Sequence, residues 1–254
     1  LDLCFSSDVD QVAQRRRLQD FLTRTPDDKS VGVRCRSDDL ELAEPLFDLL
    51  EKRPHQLILY GDTPARLAAA AARFRGHTCY RLLVEVTQTQ GFASIAAPQS
   101  GVDGVIVCGQ ECGGGSGSTS SFLLAQQLLA TECLPVYVKG APGLNSAAAC
   151  RAVGARGVVL DHQLLLLPES PLPKSWQSLL SQGRFQDFQQ IGAQGGAPVG
   201  VFLHPRFKAT GLLKAASQRL EVEPSTLHEF QLTVGETVGW GSPENRVWPL
   251  GQTA

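Results

Sequence analysis

"GVDGVIVCGQECGGGSGSTSSFLLAQQLLA" fills residues 101–130, and three kinds of chain follow one another in it. Gly104–Cys108 is short, continuously apolar and rich in β-branched residues, as a strand covered on both faces is. Residues 109–120 are crowded with Gly and Ser, which ends the strand. Residues 121–130, "SFLLAQQLLA", carry a helical pattern. The stretch is therefore one strand–loop–helix unit, and the fold depends on whether its neighbours repeat it.

They do. Upstream, apolar strand candidates occur at Leu1–Phe5, Val31–Cys35, Leu57–Tyr60 and Arg81–Val86. Downstream come Pro135–Val138 and Gly157–Leu160. Helical patterns alternate with them at 8–24, 37–52, 63–74 and 145–155. Pro45 kinks or delays the second of these. Thr63 reads as an N-cap with Pro64 at the first helical position. Asn145 reads as the cap of the last, and Gly154 as its end. Seven strands in strict alternation with helices mean a parallel sheet, either an eight-stranded barrel or an open doubly wound sheet. The count is one short of a barrel. The chain opens in mid-strand and contains no methionine. The expected fold is an α/β chain of the (β/α)8 TIM type whose first strand precedes Leu1, cut from a longer polypeptide or processed. After Ser170 the pattern changes to a Pro-rich connection, a strand at 198–205, a helix at 206–222 and an aperiodic tail, "GWGSPENRVWPLGQTA". The expected division is a barrel over 1–168 and a C-terminal α+β extension and linker over 169–254.

The totals fit a globular chain. Its 254 residues are 43% hydrophobic and 19% charged, ample for a core. A net charge of -2 points to neither nucleic acid nor an acidic membrane. No apolar run reaches the length of a membrane span, and nothing resembles a signal peptide. The seven cysteines are odd in number and sit in or beside apolar runs. They read as buried, reduced thiols of a cytoplasmic protein, with no CxxC pair to suggest zinc.

In a barrel, chemistry sits on the loops at the strands' C-terminal ends. Arg34, near a strand end, offers a positive group to an anion or is a surface arginine. Thr87 and Gln88 suit a polar ring edge, or Thr87 caps a helix. In the loop after Cys108, three consecutive glycines permit close backbone approach to a ligand or simply bend the chain. Glu111 is its only ionisable group besides the Cys112 thiol. The loop after Val138 supplies Lys139, Gly140 and Gly143 ahead of a helix start at Asn145, where barrels commonly bind phosphate. Asp161 is a poor neighbour for phosphate unless it pairs with a base or caps a helix. His162 is an acid–base candidate or a structural histidine.

The sequence from "GVDGVIVCGQECGGGSG" through "LPVYVKGAPGLNSAAACRAVGARGVVLDHQLLLLPES" resembles the nitronate monooxygenase (2-nitropropane dioxygenase) family. It is most similar to the form embedded in polyketide and polyunsaturated-fatty-acid-type megasynthases, and the tail resembles the stretch C-terminal to that domain in such synthases. The resemblance implies an FMN-binding barrel in which residues 1–5 match the second strand. In the family's glycine loop, Glu111, Cys112, Gly113 and Gly114 stand in register with Glu–Ala–Gly–Gly. Gly115 stands where the proton-abstracting histidine would be, and a glycine abstracts no proton. Cys108 replaces a glutamine that meets the flavin, and Arg34 an asparagine. Gly140 and Gly143 match the phosphate loop, whereas Ala141 and Pro142 do not. Asp161–His162 replaces a Gly–Thr pair.

The resemblance thus implies an FMN-dependent oxidoreductase domain that reduces an enoyl thioester on an acyl carrier protein, with NADPH as reductant and neighbouring megasynthase domains as partners. The proton donors it leaves are His162, Glu111 and Cys112. The flavin contacts are Arg34, Thr87, Cys108, Gly109, Gly113, Gly114, Lys139, Gly140, Gly143, Asn145 and Asp161, with no metal. A degenerate barrel serving as a structural or docking domain is the alternative, and a nitronate monooxygenase proper is a third.

Overall fold

The structure is a computed structural model that describes residues 2–3, 11–26, 29–41, 55–61, 63–74, 80–140, 143–170, 172–239, 242 and 245–251. The chain divides into two compact units, residues 1–106 with 131–135, and residues 107–130 with 136–254.

The first unit is built on parallel strands. β1 (Asp2–Leu3) is followed by α1 (Gln11–Arg24), β2 (Val31–Arg36) and β3 (His55–Tyr60). Then come α2 (Pro64–Ala72), β4 (Tyr80–Val86), a short α3 (Phe92–Ala96) and β5 (Gly104–Cys108), whose last two residues belong to the second unit. Leu3 pairs with Cys35, Val33 with Leu57, and Leu57 with Leu82, all parallel. Along β2 the apolar Val31, Val33 and Cys35 are buried while the residues between them are half-buried, the period of two that a strand imposes. α2 buries Leu67, Ala70 and Ala71, spaced three and four apart on one face. Its start is as the sequence implies: Pro64 opens it, and the Thr63 side chain accepts from the Arg66 N–H at 3.4 Å. The helix expected at 37–52 begins as a single 3₁₀ turn over Ser37–Asp39, and its continuation past Glu41 lies outside the described residues.

The second unit contains β6 (Gly114–Gly115), α4 (Ser121–Leu129), β7 (Val136–Lys139), α5 (Leu144–Ala152) and β8 (Gly157–Val159). It continues through α6 (Lys174–Ser181), β9 (Phe188–Ile191), β10 (Val199–Phe202), α7 (Ala209–Val222) and α8 (Leu227–Thr237). β7 and β8 pair in parallel, with Lys139 opposite Val159. A separate antiparallel sheet has the order β6-β10-β9. Gly143, not Asn145, is the cap of α5: the Ser146 hydroxyl accepts the Gly143 N–H at 2.9 Å, and Asn145 lies inside the first turn. Gly154 ends the helix region at φ 105°, a backbone region that favours glycine. The core of this unit is aromatic. Trp248 is fully buried, with ring centroids 5.0 Å from both Trp176 and Phe207, and Phe202 stacks above it at 6.2 Å.

The hydrogen-bonded order of the main sheet is β1-β2-β3-β4-β5-β7-β8. β1 and β8 end that order, so among the described residues the expected (β/α)8 barrel is not closed. Closure of an eight-stranded barrel needs one further strand between those two edges. The antiparallel sheet was not expected, because β6 is two glycines and β9 reads "FQQI"; neither has an apolar strand signature. Among the described residues no helix is long and apolar enough to cross a membrane.

Candidate active site

In the first unit the group with chemical potential is Arg34. Its position opposite Ile58, with Ile58 opposite Leu83, sets it two residues short of Glu85 across β3. The guanidinium closes that gap. Nε donates to one Glu85 carboxylate oxygen at 2.9 Å and an NH2 donates to the other at 2.6 Å. The guanidinium carbon lies 3.7 Å from the centroid of Tyr60. A planar fork meeting a carboxylate bidentately over an aromatic face is a strong, specific arrangement. Glu85 is 7% exposed, so the arginine neutralises a buried carboxylate. The sequence carried a signal for this partner: Glu85 is the one acid in the apolar run "LLVEV". Thr87 and Gln88 line a recess of about 10 Å³ with Gly61, Pro64 and Glu85, no larger than one water.

In the second unit the end of β7 and the loop after β8 bring Lys139, Asp161 and His162 together. Lys139 Nζ is 3.2 Å from an Asp161 carboxylate oxygen, and His162 Nδ1 is 3.8 Å from the same oxygen. Lys139 and His162 are buried, while the Asp161 side chain is 39% exposed. Desolvation pushes the Asp161 carboxyl upward. The neighbouring His162 imidazole and the Lys139 ammonium outweigh it and hold the group well below the usual carboxylate range. The aspartate that the sequence sets against a phosphate is thus neutralised by a base, and by the same contact Lys139 is committed to it.

The glycine loop, also in the second unit, is tightly built. Gln110 N–H donates to Thr119 at 2.9 Å, Cys112 N–H to Gly109 at 3.1 Å and Gly117 N–H to Cys108 at 3.0 Å. One Glu111 carboxylate oxygen accepts the Ser121 N–H at 2.7 Å, placing an anion on the first turn of α4, where the helix dipole favours it. The Ser121 hydroxyl accepts the Gly109 N–H at 2.9 Å. Cys112 is 1% exposed, with its sulfur 4.0 Å from that hydroxyl. A side chain at Gly140 would stand 2.7 Å from the same sulfur. Cys108 is buried in β5. At Gly113 a Cβ would collide with the carbonyl oxygen of Pro249 and stand 2.8 Å from Leu250 Cα. Of the three consecutive glycines, Gly115 alone is exposed and has nothing within 4 Å of a built Cβ. The five described cysteines, Cys35, Cys108, Cys112, Cys133 and Cys150, are free thiols, and all but Cys133 are buried.

The structure therefore gathers Lys139, Asp161 and His162 into one cluster. It sets Glu111, Cys112, Gly109, Gly113, Gly114 and Gly140 in or against one loop. It leaves Gly143 and Asn145 exposed at the start of α5. Arg34 and Thr87 belong to the first unit. The tail's contact with Gly113 was not foreseen; its one sequence signal is the Trp and Pro content of the tail itself.

No protein-family model matches the sequence. A curated protein of Rhodococcus jostii (strain RHA1) is 27% identical over 237 residues, 89% of this chain and 65% of that protein. Its name is (3aS,4S,5R,7aS)-5-hydroxy-7a-methyl-1-oxo-octahydro-1H-indene-4-carboxyl-CoA dehydrogenase. The chain thus spans a little under two thirds of that relative's length. Among solved structures, FabK from Thermotoga maritima matches 98% of this chain and 76% of its own, with a TM-score of 0.73 and 20% identity. The chain is similar to FabK in fold. A point mutant of the same FabK matches at a TM-score of 0.66, again at 20% identity, over 96% of this chain and 73% of that one.

Proposed function

We propose that this chain is an FMN-dependent oxidoreductase domain acting on acyl groups carried as thioesters, reducing an enoyl thioester with NADPH as the source of reducing equivalents. The observation that carries the reading is the Lys139–Asp161 contact, which removes the one repulsive charge from the phosphate loop. The likeness of fold to FabK, and a relative whose name gives a dehydrogenase of a carboxyl-CoA, support it. This reading puts the flavin phosphate at the exposed first turn of α5, beside Asn145 and Gly143, whose N–H already donates to the Ser146 hydroxyl, with the buried Gly140 before them, rather than at the cations, which already face carboxylates. Bound there, FMN supplies hydride-transfer chemistry.

Reduction of an enoyl thioester also needs one proton, which the protein or water must provide. Glu111 spends a carboxylate oxygen on the first turn of α4, and Cys112 is sealed beneath Gly140. His162, held against Asp161, is the donor this reading assigns. The carrier of the thioester is an acyl carrier protein, within a polyketide- or fatty-acid-type synthase. The test is an absorbance and fluorescence titration of the protein with FMN, then NADPH consumption in the presence of an enoyl thioester. A shifted, quenched flavin spectrum and enoyl-dependent NADPH loss are expected.

A second reading, a barrel that keeps the fold without the chemistry and serves as a structural or docking domain, is favoured by the bidentate commitment of Arg34 to Glu85. Free flavin fluorescence that the protein does not change would decide for it.

A further inference from the structure

In the loop at 109–117, Gly113 and Gly114 meet the chain's own last described segment, Gly109 meets Ser120 and Ser121, and Gly115 faces open space. Residues 247–251 are tied down at several points. Val247 N–H donates to Thr237 at 2.8 Å and its carbonyl accepts Gly239 N–H at 2.9 Å. The Trp248 carbonyl accepts Phe202 N–H at 2.9 Å, so the segment lies along β10. Trp248 is buried in the aromatic core, and Val247 and Leu250 are buried with it. The segment then crosses the loop. A Cβ at Gly113 would strike Pro249 and Leu250. One at Gly251 would strike the Glu111 carbonyl oxygen and come within 2.6 Å of the Cys112 carbonyl carbon. On the loop's other side a Cβ at Gly200, in β10, would strike the Cys112 carbonyl oxygen. Three glycines from distant parts of the sequence thus remove their side chains at one place, where three backbones meet at a separation that no Cβ permits.

We propose that segment 247–251 is a strap for which the glycine loop is the receptor, and that this strap fixes the backbone of Glu111–Gly113. In this arrangement Gly113 admits protein backbone rather than a ligand. Glu111 and Cys112 keep their positions only while the strap is seated, which makes the strap a positioning element for that loop whether or not a flavin binds. Coupling of this kind is reciprocal: whatever unseats the strap loosens the loop, and whatever deforms the loop loosens the strap.

Hydrogen exchange by NMR on the full flavin-free chain reads both sides. The reporters are the Gln110, Cys112 and Gly117 amides in the loop and the Val247, Gly239 and Phe202 amides along the strap, all of which are hydrogen-bonded. Gly251→Val adds a side chain on the strap and Gly113→Ala adds one on the loop. Each is expected to raise exchange in both reporter sets by about tenfold or more, with the helices α7 and α8 unchanged. Gly115→Ala, in the same loop but facing open space, is expected to leave both sets as they are. Loop reporters that keep their protection in Gly251→Val while the strap reporters lose theirs would overturn the proposal. So would a uniform rise that includes α7 and α8, since the segment would then be core without a particular hold on the loop. Neither result depends on flavin binding, so the outcome stands apart from the FMN titration.

Discussion

Two ion pairs, one in each unit, look alike in sequence and differ in kind. Arg34 and Lys139 both lie at or near the ends of parallel strands, and each faces a carboxylate. Arg34 meets Glu85 with two hydrogen bonds, on a carboxylate that is 7% exposed and beneath a tyrosine ring. Lys139 meets Asp161 at 3.2 Å, on a carboxylate that is 39% exposed and leans toward His162 as well. The first is a matched pair whose separation leaves a buried charge behind. The second is two groups around one oxygen of a partly exposed carboxylate, and its partners can be exchanged at smaller cost. A cation at a strand end is therefore no mark of an anion site; the exchangeability of its present partner is. By that measure the Lys139 cluster is the more exchangeable of the two.

The comparison breaks if the two pairs respond alike to losing an acid. Glu85→Ala removes both of these hydrogen bonds from the Arg34 guanidinium and is expected to cost about 3–5 kcal/mol in urea unfolding. A loss below about 1 kcal/mol would move Arg34 into the exchangeable class. Asp161→Asn keeps shape and hydrogen-bonding capacity in a side chain that is itself 39% exposed, and is expected to cost about 1–2 kcal/mol.

The Asp161 pair can also be read by pH. The Asp161 carboxyl is held below its ordinary range in the folded protein. A depressed carboxylate contributes stability in full above its unfolded pKa, about 4, and loses that contribution as pH falls through its folded value. The stability gap between the natural protein and Asp161→Asn is therefore expected to be constant from about pH 5 upward and to narrow below about pH 4. Urea midpoints measured across that range check it. A gap that stays flat to pH 3 would mean the carboxylate is not paired in solution.

These pairs also show what the sequence could convey. The alternating strands were legible because each is an apolar run with its own period: Gly104–Cys108 is a strand at the expected residues, and Val31–Cys35 is longer by one. Thr63 and Pro64 mark a helix start by local chemistry alone. The cap at Gly143 was misread because Asn145 is the better capping residue by type, whereas Ser146 reaches back to supply the hydrogen bond. Partners were the least legible. Nothing in "VGVRCR" states that Glu85, 51 residues on, takes two N–H donors along one edge of the guanidinium. The three consecutive glycines could not be divided by reading them either. Gly113 is closed by Pro249 and Leu250, while Gly115 faces open space, and that difference is set by a segment more than a hundred residues away.

The smallest expected effect on stability tests that division directly. Gly115 is exposed, has nothing within 4 Å of a built Cβ, and unlike Gly114 is not at a left-handed φ. It sits at the end of β6 opposite Val199, on an edge strand where a side chain finds solvent. Gly115→His is therefore expected to change stability by no more than about 0.5 kcal/mol, the range of a surface substitution. The same imidazole two residues earlier, in Gly113→His, must displace the Pro249 carbonyl and Leu250, and is expected to cost more than about 2 kcal/mol, in the range of overpacking. Equal costs at the two positions, measured by urea unfolding, would mean that segment 247–251 does not lie on the loop.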